Sequence, residues 1–243
     1  MKPGGITRNY WRKNMQFKKL AVAISLSLGS ALAMAENYQA EVGVAYMDIE
    51  ETDAITVMGE LHFNEVSTSG LPLEEAAYLG KSNNVALSYT EWEELDITLI
   101  RAEFYVGDFY IAPAYIDNSL TDGSALVSLG YASDNGLRIA TTVPEEDYEA
   151  NVDVKWVTKL SSGNFINLEA GFADGGDFDD SIVVGGDYYF DETFSAGAAF
   201  IDEGDSAFEL RVNKFFTGTF KAGLSYVSSD DADVITVDAA IRF

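Results

Sequence analysis

Few residue types in this sequence could perform covalent chemistry. His62 is the only histidine, and there is no cysteine, which excludes disulfides, thiolate metal sites and cysteine nucleophiles. A hydrolase would need a nucleophile beside a general base, and the sequence holds no phosphate-binding loop and no His-rich metal motif. We therefore expect no cofactor, no metal site and no enzymatic activity, with His62 as an isolated polar residue. A hydrolase that uses His62 is the least favoured interpretation.

Carboxylates are the abundant reactive groups. The 243 residues include 40 Asp and Glu against 15 Lys and Arg, which gives a formal net charge of −25 at pH 7. A nucleic-acid partner is excluded, because such proteins carry a basic surface. The acidic runs 177–180 and 230–233 offer the oxygen ligands that Ca²⁺ and Mg²⁺ prefer, but they lack the spacing of a dedicated loop. We expect solvated charge there, with loose divalent bridging to lipopolysaccharide as the alternative.

Charged residues also recur at alternate positions, as where Asp153 and Lys155 alternate with Val152, Val154 and Trp156. Successive side chains of a strand point to opposite faces, so these charges share one face. In a pore they would set ion preference; in the alternative interpretation they hydrate the wall or pair across strands. The predicted inward-facing set is Glu41, Glu60, Arg101, Glu103, Arg138, Glu149, Asp153, Lys155, Glu169, Asp187, Glu209, Arg211 and Lys221, together with Lys159, Asp238 and Arg242.

Short strands must position these charges. Alternating segments separated by turn residues predict fourteen strands, or twelve if one hairpin is merged. About two thirds of residues 36–243 would then be strand, an excess that points to a closed all-β architecture. The predicted strands lie near 38–50, 53–64, 84–91, 95–106, 109–117, 124–132, 136–143, 148–159, 165–173, 181–190, 194–202, 206–214, 219–228 and 233–243.

A soluble sandwich and a membrane barrel both alternate, but other features favour the barrel. A strand of about ten residues, tilted by ~40°, rises roughly 25 Å, which matches the apolar band of outer-membrane barrels. Aromatic residues often lie at both ends of the presumed outward face, as interfacial girdles require. The pairs in question are Tyr38 and Tyr46, Phe194 and Phe200, and Phe220 and Tyr226.

The charge of the connections is the most informative feature. The seven connections from odd-numbered to even-numbered strands, taken with their flanking residues, hold 22 acidic residues and no Lys or Arg. The connections from even-numbered to odd-numbered strands are mostly short and hold both signs. This segregation is expected if alternate turns lie on opposite sides of a membrane. We therefore predict an antiparallel up-and-down transmembrane β-barrel with an acidic outer mouth that prefers cations.

The N-terminus reads as an export signal. Lys18 and Lys19 precede an apolar stretch at 20–32, and Ala33, Met34 and Ala35 form a small-residue cleavage site. Thirteen residues are too few to span about 30 Å of hydrocarbon. We expect residues 1–35 to comprise an N-terminal extension and a cleaved signal peptide, with Met15 as the true start. The mature barrel would then be 36–243, in the outer membrane.

The last strand ends in a signal of its own. Ile235, Val237, Ala239, Ile241 and Phe243 form one apolar face that ends in the terminal aromatic residue. This pattern resembles the signal that the barrel-assembly machinery reads, and it makes that machinery an expected partner through Phe243. Outer-membrane lipid, lipopolysaccharide, ions and small solutes are the other expected partners.

Residues 69–80 carry a family resemblance. Ser69, Gly70, Leu71 and Pro72 begin a stretch that continues Leu-Glu-Glu-Ala-Ala-Tyr-Leu-Gly. It is similar to the Gly-Pro-Leu-x-Glu-Ala-Ala-aromatic-Leu segment of the gammaproteobacterial small putative porin family, although Leu71 here separates the glycine from the proline. The resemblance implies an outer-membrane porin and supplies no substrate.

The same stretch lies in the long connection 65–83, which breaks the rule that periplasmic turns are short. A helical turn that includes Leu73, Glu74, Glu75 and Tyr78 could fold into the barrel and constrict it. An ordered periplasmic flap is an equal alternative. If the segment constricts the pore, deletion of residues 66–81 should raise conductance.

The sequence thus favours a passive, cation-preferring porin for ions and small hydrophilic solutes. The alternative is a non-conducting structural or surface-interaction barrel in the same membrane, which would give no conductance steps in a planar bilayer.

Overall fold

The protein forms a closed barrel of fourteen antiparallel strands in the computed structural model, which describes residues 37–49, 52–144, 151–174, 180–204, 206–229 and 232–243. The predicted signal peptide and Glu149 lie outside the described residues. The strands are β1 (Asn37–Ile49), β2 (Thr52–Ser67), β3 (Asn84–Trp92), β4 (Leu95–Val106), β5 (Phe109–Asn118), β6 (Ser124–Ala132), β7 (Leu137–Pro144), β8 (Asn151–Lys159), β9 (Phe165–Ala173), β10 (Ser181–Asp191), β11 (Phe194–Asp202), β12 (Ser206–Phe215), β13 (Phe220–Ser229) and β14 (Asp233–Arg242).

Each strand pairs with its neighbours along the chain, and β1 pairs with β14 to close the ring. The predicted all-β antiparallel barrel is confirmed, with fourteen strands rather than twelve. β2 runs three residues further than predicted, so the long connection begins at Thr68 instead of residue 65. A 3₁₀ turn (Leu73–Glu75) and the helix α1 (Ala76–Leu79) lie within it. No helix among the described residues is long and apolar enough to cross a membrane.

The outer face of the barrel is apolar. Val42, Leu61, Leu87 and Ile100 lie on four neighbouring strands, and each exposes about half of its surface. Large apolar residues occupy alternate positions in this way on strand after strand. A water-soluble protein would bury such a continuous surface. The alternate positions between them, which carry the charges, therefore face the interior.

Outward-facing aromatic residues pair at the end of the barrel where the connections are mostly short. The rings of Phe190 and Phe194 lie 5.1 Å apart, and those of Phe216 and Phe220 lie 5.7 Å apart. Rings at the strand ends match the interfacial girdle of a membrane barrel.

Tyr38 faces the interior of the barrel, and the sequence prediction for this residue is wrong. The alternation assigned it to the outward face, but it is 5% exposed, and the guanidinium of Arg242 lies 4.4 Å from its ring inside the barrel. The cause is a β-bulge: the backbone N–H groups of Gln39 and Ala40 both donate to the Phe243 carbonyl oxygen. A bulge adds an unpaired residue to a strand, so the side chains that precede it point to the opposite face of the sheet.

Glycines let inward side chains approach neighbouring strands closely. A Cβ atom at Gly197 would lie 2.6 Å from the Gly186 carbonyl oxygen and would overlap the carboxylate of Asp187. At Gly171, also inward-facing, the nearest atom would be the Val183 Cβ at 3.9 Å. The two positions therefore differ in available space, although both lie on the inner wall.

We expect Gly197→Ala to destabilise the barrel by about 1–3 kcal/mol, the usual cost of overpacking. The temperature at which the heated barrel loses its folded electrophoretic mobility should fall. Gly171→Ala is the matched control and should leave that temperature unchanged. Equal behaviour of the two variants would contradict the close packing at Gly197.

Candidate functional site: the barrel interior

Residues 68–83, here called the crossing segment, extend across the end of the barrel with the short connections. The Leu73 backbone N–H donates to the Glu192 carbonyl oxygen (2.7 Å) in the connection between β10 and β11. Lys81 Nζ contacts the carboxylates of Asp108 (3.1 Å) and Asp134 (2.7 Å), in the connections that follow β4 and β6. Because the connections after β4 and β10 lie six strands apart in a ring of fourteen, one segment reaches both only by crossing the opening.

The local sequence explains the compact turn in this segment. Pro72 is fully buried and precedes the 3₁₀ turn, where its missing N–H leaves no donor unpaired. α1 ends where the Gly80 N–H donates to the Ala76 carbonyl oxygen (2.9 Å). Ala76 is wholly buried and packs with Tyr38 and Val66 of the wall. The segment is therefore packed against the interior rather than hanging from the rim.

Glu75 anchors the middle of the crossing segment. Its carboxylate lies 3.0 Å from Lys155 Nζ on β8 and accepts a hydrogen bond of 2.7 Å from the Tyr189 hydroxyl on β10. Lys155 also contacts Glu169 at 3.3 Å. The Glu75 side chain is 5% exposed, and a buried carboxylate requires such partners. Glu75, which was predicted to lie in a constriction, thus contacts Lys155, which was predicted to lie on the inner wall.

Glu74 and Tyr78 make the flanking contacts. Ser195 donates to the Glu74 carboxylate at 3.0 Å. Burial raises the pKa of Glu74 above its usual range, against the opposing effect of Lys221 and Ser195. The Tyr78 hydroxyl donates to the carbonyl oxygens of Gly136 (3.1 Å) and Lys155 (2.9 Å), and burial raises its pKa as well.

Electrostatics also fix the far end of the crossing segment. The hydrogen bond from Lys81 lowers the pKa of the Asp134 carboxyl, and the same bond raises the pKa of Lys81. Asp134 is fully exposed, so water and salt screen this contact. It orients the segment more than it stabilises it.

Arg211 is held by three carboxylates of the interior. It donates two parallel bonds to Asp187, from Nε (2.7 Å) and from Nη2 (2.8 Å). Glu209 lies 3.4 Å and Glu169 3.5 Å from the same guanidinium. Asn167 is buried and donates to both Asp187 and Glu169. These charges form a mutually compensated network.

A second network centres on Glu103. Its carboxylate accepts hydrogen bonds from the Tyr110 hydroxyl (2.8 Å) and from Asn84 Nδ2 (3.2 Å). Arg138 lies 3.7 Å and Arg101 3.8 Å from it. The Arg138 guanidinium also lies 4.6 Å from the centre of the Tyr110 ring. The tyrosine and asparagine members were not predicted from the sequence.

Arg242 and His62 lie near the closure of the barrel. Arg242 bonds to Glu41 and donates to the Leu73 carbonyl oxygen at 2.6 Å. His62 is not isolated as expected: its Nε2 lies 3.5 Å from Glu60, and its Nδ1 lies 3.1 Å from the Ser82 hydroxyl. The ring is 1% exposed, so a substrate has no approach to it. His62 ties the end of the crossing segment to β2.

Of the remaining predicted residues, Lys221 interacts electrostatically with Glu74, and Asp153 with Arg138 and Glu103. Asp153 lies on the inner wall between Ala140 and Gly171, the paired residues of the adjacent strands. Lys221 and Asp238 lie on the inner faces of β13 and β14 and interact electrostatically. The Lys159 ammonium lies 5.3 Å from the Phe165 ring. Phe243 is half-exposed, and its backbone N–H donates to the Ala40 carbonyl oxygen (2.9 Å).

Several participants were not predicted from the sequence. Register brings those on strands to the charges, and register is not readable from one strand at a time, whereas the path of the crossing segment places Lys81. They are Asn84, Tyr110, Asn167, Tyr189, Ser195 and Lys81. Within the described ranges, no group of three or more His, Cys, Asp or Glu residues is arranged to hold a metal ion.

An apolar outer wall, a charged inner wall and a closed ring of fourteen strands define the class of outer-membrane β-barrels. Residues 17–134 match the family model described as "Putative general bacterial porin". This match confirms the resemblance to porins that residues 69–80 predicted.

Solved structures agree on the fold. The outer membrane protein Omp33 of Acinetobacter baumannii matches with a TM-score of 0.79 at 21% sequence identity, covering 86% of this chain and 99% of that chain. KdgM porin matches with a TM-score of 0.50 at 8% identity, covering 84% and 99%. No curated protein matches the sequence significantly. The family match supports an outer-membrane porin, and the solved structures show the shared barrel fold.

We expect Lys155→Ala to loosen the crossing segment, because it leaves the Glu75 carboxylate buried without its cation. Removing one partner of a buried pair costs about 3–5 kcal/mol. Backbone amides of residues 73–80 should then exchange hydrogen with solvent faster, as measured by mass spectrometry. Adding Glu75→Gln should restore part of the protection, since the unpaired charge disappears. Unchanged exchange in Lys155→Ala would contradict the anchoring role.

Proposed function

We propose that this protein is a passive outer-membrane channel for ions and small hydrophilic solutes, with a preference for cations. The observation that carries this proposal is the division of the barrel into an apolar outer wall and a charged, water-compatible inner wall. No covalent chemistry is needed for passage. The size of the opening and the field of the wall decide what crosses.

The orientation follows from the connections. In outer-membrane barrels the short turns face the periplasm and the longer connections face outside. With an even strand number, the start of β1 and the end of β14 then lie on the periplasmic side, together with the crossing segment. The acidic connections would face the exterior, where divalent cations could bridge them to lipopolysaccharide. Phe243, at the end of β14, is our candidate contact for the barrel-assembly machinery.

Cation preference is attributed to the mouth more than to the wall. The described members of the inward-facing set comprise eight acidic and seven basic residues, so they nearly balance. The odd-to-even connections and the residues that flank them hold 22 acidic residues and no base. A mouth of one sign concentrates counter-ions at the entrance and excludes like charges.

The crossing segment supports a constriction at the periplasmic end. Its bonds to Lys155, Tyr189, Ser195 and Arg242 hold it across the opening. The same bonds favour the second candidate function, a structural barrel that conducts nothing. Conductance steps in a planar bilayer separate the two, because a sealed barrel gives none.

In a salt gradient across a planar bilayer, the reversal potential should have the sign of cation preference. The preference should fade as salt rises from about 0.1 M to about 1 M, since the Debye length falls from about 10 Å to about 3 Å. Replacing Glu91, Glu93 and Glu94 by glutamine should weaken it, because Glu93 and Glu94 form the connection after β3 and Glu91 lies at the end of that strand. A reversal potential of the opposite sign would refute cation preference.

Replacing residues 72–79 by a short Gly-Ser linker should raise single-channel conductance, because it removes the turn that crosses the opening. This variant leaves β2 intact, which a deletion from residue 66 would not. A Gly-Ser replacement of residues 119–123, between β5 and β6, is the control and should leave conductance unchanged. Equal conductance of the first variant and the wild type would reject the constriction.

A further inference from the structure

The four described arginines of the inner wall differ in their access to water, and this difference deepens the proposed function, on which the inference rests. The Arg101 side chain is 47% exposed, whereas Arg138 is 18%, Arg211 20% and Arg242 5% exposed. A permeating ion meets charge that is in contact with lumen water. The exposed fraction of each arginine side chain therefore ranks these residues by their influence on a permeating ion.

The three less exposed arginines are engaged elsewhere. Arg211 is bonded to Asp187 through two nitrogen atoms, and Arg242 is bonded to Glu41 and to the backbone of the crossing segment. Arg138 lies against the ring of Tyr110. Opposite charge or an aromatic face covers each of them, so their fields in the lumen are largely compensated.

Arg101 is different because its acidic neighbour is already satisfied. Glu103 accepts short hydrogen bonds from Tyr110 and Asn84, while the contact from Arg101 Nη1 is 3.8 Å, beyond hydrogen-bond distance. The residues paired with Arg101 on the adjacent strands are Ala86 and Ala114. Neither alanine side chain is long enough to shield the Arg101 guanidinium, which therefore stays hydrated.

Arg101 is on β4, away from the strands that anchor residues 73–75, whereas Tyr78 of α1 reaches Gly136 and lies against Arg138. The side-chain anchors of residues 73–75 are on β8, β10, β11 and β14. Ala112 on β5 and Ala140 on β7 are buried with Tyr110 in one apolar cluster, so side chains close this neighbouring part of the wall. The 47% exposure of Arg101 is therefore the observation that places its guanidinium in contact with lumen water.

The geometry points to Arg101 as a specificity-determining residue: a half-exposed positive charge of the inner wall, only loosely paired with Glu103, that limits the cation preference set by the acidic mouth. A guanidinium stays protonated at every physiological pH. Its field repels cations in the lumen and attracts anions. Removing this charge should therefore increase discrimination between the two.

The test uses the absence of cysteine from the chain. Arg101→Cys places a single thiol at this position, and Ile100→Cys places one on the adjacent, lipid-facing position as the matched control. Each variant is recorded in a planar bilayer before and after addition of a cationic or an anionic thiol-specific methanethiosulfonate reagent. Arg101→Lys, which keeps the charge, is recorded in parallel.

We expect Arg101→Cys to raise the cation-to-anion permeability ratio about two- to fivefold at low salt, as expected for one charge within several Å of the path in water. The cationic reagent should return the ratio toward the wild-type value, and the anionic reagent should raise it further. Arg101→Lys should keep the wild-type ratio, and Ile100→Cys should not respond to either reagent.

Two results would overturn the inference separately from the proposed function. If Arg101→Cys conducts with the wild-type ratio and ignores both reagents, the residue does not face the path, although the porin function stands. If Arg101→Lys changes the ratio as much as Arg101→Cys, geometry rather than charge is responsible. A wild-type protein that never conducts would overturn the proposed function and this inference with it.

Discussion

The structure depends on complete pairing of backbone hydrogen-bonding groups in a closed ring. Hydrocarbon offers no partner for a free N–H or C=O, so a sheet can cross a membrane only if its first and last strands meet. Here β1 meets β14, and the last residue takes part: Phe243 exchanges backbone bonds with Ala40 and accepts a further bond from Gln39. The pairing of β1 with β14 thus closes the barrel. At the same place the local bulge turns Tyr38 inward, where Ala76 of the crossing segment packs against it.

Closure also gives the two faces different chemistry. The outer face meets lipid and can be uniformly apolar, whereas the inner face must accommodate charge at a limited distance from water. Charge on that face is stable when it is paired, and Glu75 with Lys155 and Asp187 with Arg211 are paired at hydrogen-bond distance. The crossing segment can enter the interior for the same reason, because its acidic side chains complete networks that the wall begins.

The sequence predicts the strands well because each needs only its own alternation. All fourteen strands appear within a few residues of their expected positions, and the helical turn lies inside the expected connection. Tyr38 was assigned to the wrong face because a bulge has no signature in the residues around Gln39. The partners of the charges were not predictable either. Asn167 reaches Asp187 only through the register of β9 with β10, which depends on every turn and pairing before it.

Stability and ion discrimination are therefore controlled by different groups. A charge that stabilises the barrel is covered by its partner, and the more completely it is covered, the less field it projects into the lumen. Arg211 and Arg242 are examples. Each is paired with a carboxylate, whose negative charge offsets the field of the guanidinium in the lumen. We propose that discrimination comes instead from the acidic residues of the connections and from the half-exposed Arg101. Substitution of Arg101 should then change ion preference at little cost to the barrel, because its contact with Glu103 is 3.8 Å long.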